Sequence, residues 1–231
     1  MFSLTADEVT AIELSLRVAS VAVAASLPFG LLAAWVLARR RFPGVTLLEG
    51  LVHLPLTLPP VVTGYLLLLL FGRNGPLGAF LAAHFGIVFA FRWTGAALAS
   101  AVMGFPLMVR AMRLALESVD ERLEEAAGTL GAPPAWVFAT VTLPLMGPGI
   151  VSGAILAFAR SMGEFGATIT FVSNIPGETQ TLATAIYTFT QTPSGDLAAL
   201  RLVFISVALS FAALLLAERL DRRGRLRIRG R

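Results

Sequence analysis

The side chains that are hardest to accommodate in this chain are Arg160 and Glu164. They lie in the apolar run Phe158-Ala159-Arg160-Ser161-Met162-Gly163-Glu164-Phe165-Gly166-Ala167-Thr168. An i, i+4 spacing places both on one face of a helix, where they can pair. An unpaired charge at the centre of a bilayer costs at least about 2.5 kcal/mol on insertion scales, so each needs a partner or a wet cavity. Two readings follow. The pair is an intrahelical salt bridge that positions a bundle, or it marks a translocation pathway with Gly163 beside it and Ser161, Thr168 and Thr170 as neutral donors. No group elsewhere suggests catalysis or a metal site. His53 and His84 stand apart without ligand spacing, and no GxxxxGK[ST] phosphate loop is present, so the chain is not expected to hydrolyse ATP itself.

The elements that hold these residues follow from composition. The chain has 231 residues, 56% hydrophobic and 14% charged, with a mean hydropathy of +0.79, which places it among integral membrane proteins. A helix of about 20 apolar residues crosses the roughly 30 Å hydrocarbon core with its backbone polar groups paired. Five stretches qualify: Leu14 to Leu37, Leu51 to Phe71, Thr94 to Met112, Gly149 to Val172, and the marginal Leu202 to Ala217. The expected fold is an all-α polytopic bundle forming one membrane domain over 1–231. Leu77 to Phe91 is too short for a crossing, contains His84 and Gly86 and ends at Arg92-Trp93, which predicts an interfacial or re-entrant segment. The first apolar run is too long for a cleavable signal and follows Asp7, Glu8 and Glu13, so it is expected to remain as a span. Without cysteine, nothing is inferred about redox compartment.

Orientation comes from arginine alone, because the chain has no lysine. Arg39-Arg40-Arg41, then Arg110, Arg113 and Arg122, then the tail from Arg219 to Arg231 form three basic clusters. The positive-inside rule puts all three in the cytoplasm. The N-terminus is then outside and the C-terminus inside, which requires an odd number of spans. A pI near 10.9 reflects these juxtamembrane clusters, which fit topology and anionic lipid better than nucleic acid.

Proline and glycine punctuate the spans at Pro28 and Gly30, at Pro55, Pro59 and Pro60, and at Gly104 and Pro106, each a predicted kink. The run LPLTLPPVVTGY stands out. Thr57 and Thr63 can satisfy backbone groups freed around Pro59 and Pro60, so the segment is either a broken helix lining a cavity or a packing feature. Between the third and fourth spans, the polar stretch Glu117 to Pro148 predicts a short helix over Leu123 to Leu130, a left-handed cap at Gly131, and a second helix beginning at Pro133-Pro134. Ala126, Ala127 and Gly131 would let a partner surface approach closely, and Glu121, Glu124 and Glu125 would orient it. A solvated connector accounts for the same charges.

The pattern EAAGTLGAPPAWVFATVTLP resembles the EAA loop of the permease subunits of bacterial ABC importers. The match falls on Glu125, Ala126, Ala127, Gly131, Val141, Leu143 and Pro144, with Glu124 and Leu130 beside them. The resemblance implies a type I permease fold and makes this hairpin the coupling helix seated in a groove of a cytoplasmic ATPase. The segments LPLTLPPVVTGYLLLLLFGRNGPLG and ARSMGEFGATITFVSNIPGETQTLATAIYT extend the likeness across nearly the whole chain, and are more similar to the molybdate permeases than to the sulfate and thiosulfate group. Met162, where Leu is common, departs mildly. Tungstate matches molybdate in shape and charge and remains open. The resemblance further implies a homodimer, two ATPase subunits that use ATP and Mg, no cofactor on this chain, an external oxyanion-binding protein, and a multi-pass location in the bacterial inner membrane. An ATP-independent channel or carrier and a membrane enzyme using Arg160 and Glu164 are the competing classes. The first lacks an internal repeat here, and the second lacks a nucleophile or metal cluster.

Overall fold

A computed structural model describes residues 4–40, 42–193 and 195–228. Arg41, Arg229 and Arg231, counted above for orientation, lie outside the described residues. Twelve α-helices and one π-helical stretch make up the regular structure among the described residues. They are α1 (Ala6–Arg39), α2 (Val45–Thr57), α3 (Pro60–Phe71), α4 (Pro76–Phe85), α5 (Trp93–Glu117) and α6 (Glu121–Thr129). After these come α7 (Pro134–Val137), the π-helical Phe138–Thr142, α8 (Leu143–Leu145), α9 (Gly147–Met162), α10 (Gly166–Val172), α11 (Leu182–Thr190) and α12 (Asp196–Ile228).

Among the described residues three helices are long and apolar enough to cross a membrane, and up to five spans result if each of two bent pairs, α2 with α3 and Pro134–Leu145 with α9, is one crossing. Two predicted spans need correction. Leu51 to Phe71 is not one helix: α2 and α3 meet at 115°. Leu58 and Pro59 each precede a proline, which drives them out of the helical region, and both are extended at ψ 144° and 134°. Pro60 then opens α3 at its first position, where a missing N–H costs nothing. Gly149 to Val172 is likewise divided, with α9 ending at Met162 and α10 starting at Gly166. The last helix extends beyond both predicted ends of Leu202 to Ala217. By contrast, α1 and α5 run through Pro28 and Pro106 without interruption, and Leu77 to Phe91 contains only the short helix α4 followed by irregular chain.

The bundle centres on α5, which packs against α1 and α9, while α12 lies along α9 and α10 lies along α3. Small residues set these distances. A Cβ on Gly149 would fall 2.1 Å from Ala115 Cβ, and one on Gly153 would fall 3.0 Å from the Met108 carbonyl oxygen. Gly149, Gly153 and Ala157 thus form a small-xxx-small seam that draws α9 onto α5, as membrane helices require when lipid competes with any apolar contact. Met103, Met108, Met112 and Leu116 of α5 fill the space on either side and are fully buried.

Away from that seam, α1 is tied at its beginning. Thr5 and Glu8 form a reciprocal capping box, and the buried Glu8 carboxylate also accepts from Arg201 Nη2 at 2.7 Å and Nε at 3.0 Å. This joins the start of α1 to α12. Ser15 adds a second tie by accepting the Leu182 N–H at the start of α11, at 2.6 Å.

The seam gives a direct test. Gly149→Val should lower the thermal stability of the detergent-solubilised protein by about 1 to 3 kcal/mol through overpacking. Gly50→Val, where an added Cβ meets nothing within 4 Å, should be nearly silent in the same melting measurement.

Candidate functional site

The two helix breaks lie side by side. Gly64 of α3 meets α10 so closely that a Cβ would stand 2.5 Å from the Ala167 carbonyl oxygen and 2.9 Å from Thr170 Cβ, and a Cβ on Gly166 would stand 2.8 Å from Pro60 Cβ. The structure therefore brings together two stretches, around Pro59-Pro60 and around Glu164, that are far apart in sequence.

Within this junction Glu164 is the central group. Its carboxylate is buried and lies between the end of α9 and the start of α10. Oε1 accepts the Ala167 N–H at 2.8 Å, and Oε2 faces Arg160 Nη1 at 2.7 Å. That second contact is an ion pair lacking hydrogen-bond alignment. The arrangement matches helix electrostatics at both ends, with a cation in the last turn of α9 and an anion ahead of α10. Glu164 thus pairs with Arg160 as its spacing suggests, but from beyond the helix rather than within it. Gly163 ends α9 and is exposed.

The hydroxyls divide into two groups. Ser161 donates to the Ala157 carbonyl at 2.8 Å, Thr168 to that of Phe165 at 2.9 Å, and Thr170 to that of Gly166 at 2.8 Å. Thr57 donates to the Leu54 carbonyl at 2.9 Å, on the exposed side of the α2 end. These bonds satisfy local carbonyls, the usual role of such residues in membrane helices. Thr63 Oγ1 and Ser100 Oγ are buried with no hydrogen-bond partner. Ser100 carried no signal in the sequence, since a serine among alanines on a membrane helix is indistinguishable from a packing residue.

The hairpin is a separate site. Asp120 caps α6 by accepting the Arg122 N–H at 3.0 Å, and no residue of α6 is buried. Gly131 adopts φ +86° with open space around it, and Pro134 opens α7. Glu124 and Glu125, adjacent in sequence, face different surroundings. Glu124 turns inward: Thr142 Oγ1 donates to it at 2.6 Å, and Arg39 Nη2 lies 3.1 Å from Oε2. Glu125, Ala126 and Gly131 are exposed, beside Leu123, Trp136 and Leu130, the last at 89% exposure. Leu143 is half-buried and Pro144 exposed where the hairpin returns to α9. Sequence reasoning missed the Arg39 anchor and the Glu8 to Arg201 tie; the Thr5-x-x-Glu8 spacing signals the capping box at Glu8 but not its distant partner.

The ion pair at the breaks makes an asymmetric prediction. Arg160→Met leaves the Glu164 carboxylate buried and uncompensated, and should destabilise the protein by about 3 kcal/mol or more. Glu164→Gln leaves an Arg160 that is partly exposed and can hydrate, and should cost less. Thermal melts of both variants in detergent decide the order, and the double variant should recover part of the Arg160→Met loss.

Residues 26–226 match the family described as "Binding-protein-dependent transport system inner membrane component". The chain is 61% identical over 224 residues to the molybdenum transport system permease protein ModB of Escherichia coli K12, covering 97% of this chain and 98% of that protein. It is 55% identical to ModB of Haemophilus influenzae, covering 94% of each. Identity to the sulfate transport system permease protein CysT of Salmonella typhimurium is 40%, covering 93% of this chain and 78% of the relative. A crystal structure of a bacterial alginate ABC transporter, in complex with a periplasmic protein carrying alginate pentasaccharide, superposes with a TM-score of 0.71 at 19% identity, covering 95% of this chain and 80% of the other. That likeness establishes a shared permease fold. The chain belongs to the family of inner membrane components of binding-protein-dependent transport systems.

Proposed function

We propose that this chain is the membrane permease of an ATP-driven importer that carries molybdate by alternating access. The observation that carries this reading is the 61% identity to the Escherichia coli molybdenum permease over 97% of the chain, against 40% to a sulfate permease. That span includes both helix breaks and the hairpin. The protein acts as a transporter subunit, and the ATP chemistry belongs to a separate partner.

In this reading the face of the hairpin carrying Glu125, Ala126, Gly131 and the exposed Leu123, Leu130 and Trp136 docks on a cytoplasmic ATPase. Small residues allow close approach, Leu130 and Trp136 bury apolar area in the partner, and Glu125 supplies a charge for orientation. Two such chains form the pathway with two ATPase subunits, in the bacterial inner membrane, and an external binding protein delivers the oxyanion. The junction of α3 with α10 is the supported place for the pathway wall. Exposed Thr57, Pro59 and Gly163 line its open side, while Thr63, Ser161, Glu164, Thr168 and Thr170 hold its frame. Because most hydroxyls there are committed to backbone carbonyls, anion selectivity rests mainly with the binding protein.

The test is reconstitution of this chain in proteoliposomes with its ATPase and binding protein. Labelled molybdate should accumulate only with ATP, tungstate should compete with it, and sulfate should be taken up poorly. Uptake without ATP, or sulfate uptake equal to that of molybdate, overturns the reading. Gly131→Ala forces a side chain into a left-handed conformation costing about 1 to 2 kcal/mol. It should reduce coupled uptake and retention of the ATPase during co-purification.

A further inference from the structure

The contacts of α6 with the rest of the chain are unusual in kind. No α6 residue is buried, so apolar packing does not fix its direction relative to the membrane helices. Its tie to α1 is instead electrostatic and converges on one arginine. Arg39, in the last turn of α1, pairs with Glu121 and with Glu124, which sit at i, i+3 on one face of α6. Glu124 is also bonded by Thr142, a buried residue ending the π-helical stretch. Three segments thus meet at the Arg39 and Glu124 side chains: the end of a membrane-crossing helix, the hairpin helix, and the π-helical return arm of the hairpin. Both groups are largely shielded, with side-chain exposures of 19% and 24%.

We propose that Arg39, Glu124 and Thr142 form a force-transmitting joint that makes α1 follow the hairpin when a partner moves it. This rests on the reading of the hairpin as an ATPase-docking element. Single exposed ion pairs contribute little, but here one cation is shared by two carboxylates, and one of those carboxylates also accepts a buried hydroxyl, so the geometry is over-determined. The consequence is directional. α1 packs along both α5 and α9, so tilting α6 shifts the helix that contacts the two helices at the centre of the bundle. Glu125, its immediate neighbour, is exposed and plays no part in the joint. Adjacent glutamates therefore divide the work, one facing the docked partner and one facing the membrane helices. Arg39, Glu124 and Thr142 are positioning residues: they act through α1 and need not touch the transported anion.

The experiment uses the reconstituted complex of this chain with its ATPase and binding protein. Arg39→Gln and Thr142→Val should leave ATPase co-purification and the basal hydrolysis rate unchanged while lowering molybdate transported per ATP by about threefold or more. The exchange Arg39→Glu with Glu124→Arg should restore part of the lost ratio, a rescue that a merely local packing role would not produce. Spin labels on α6 and α1 should report a nucleotide-dependent distance change in the variants that is absent in the parent, where the two helices move together. An unchanged transport-to-ATP ratio in Arg39→Gln with the ATPase still bound overturns the joint. Failure of the unsubstituted chain to bind the ATPase overturns the docking reading instead, so the two failures are distinguishable.

Discussion

The structure depends on two half-helices lying closer together than side chains permit. Gly64 rests on the Ala167 carbonyl and Gly166 on Pro60, and this contact sets how α3 and α10 sit beside each other. Each follows a break in the chain: Pro59 and Pro60 interrupt the first, and α9 ends at Met162 before α10 opens at Gly166. A break at membrane depth frees backbone groups that lipid cannot satisfy. The chain satisfies them locally, through the Leu58 N–H and the Thr57 hydroxyl on the Leu54 carbonyl and through the Glu164 carboxylate on the Ala167 N–H. The buried carboxylate then requires a cation, and Arg160 is one turn away. The ion pair thus stands at the break beside which Gly64 and Gly166 let α3 and α10 approach.

The bundle beneath this junction uses the same currency of small residues. The seam of Gly149, Gly153 and Ala157 against α5 gives a stiff block of α1, α5 and α9, to which α3 and α10 are attached along a narrower contact. Apart from Arg160 and Glu164 at the helix break, the ion pairs that tie separate helices together lie at the two ends. Glu8 with Arg201 closes one end, while Arg39 with Glu124 and Arg113 with Glu49 close the other. Electrostatic ties at the ends and close-packed glycines in the middle are a division that suits a protein whose middle is surrounded by hydrocarbon and whose ends meet water.

Much of this was legible from sequence, and the misses have a common cause. Pro59-Pro60 announced a break because proline acts on its own neighbour, and Gly131 announced its positive φ because the cap is a local event. The EAA spacing was read by its resemblance to the importer permeases rather than from local physics. The break after Met162 was not legible, since Arg160 and Glu164 fit one face of an unbroken helix at i, i+4 and the capping of Ala167 depends on a side chain folding back on its own backbone. The meeting of α3 with α10, the partner of Arg39 and the role of Arg201 are contacts across long stretches of chain. Periodicity within a helix holds no information about which helix it will face.

The bare leucine at position 130 has a consequence for the life of the protein in a cell. Leu123 and Trp136 on the same hairpin are exposed as well, and no residue of α6 is buried. Such a surface is tolerable only while occupied. A copy made in excess of its partners carries that patch unprotected, open to self-association and to proteases that recognise unassembled subunits. If the hairpin docks as proposed, it sets supply as well as function: synthesis of this chain has to be matched to synthesis of the partner that covers it.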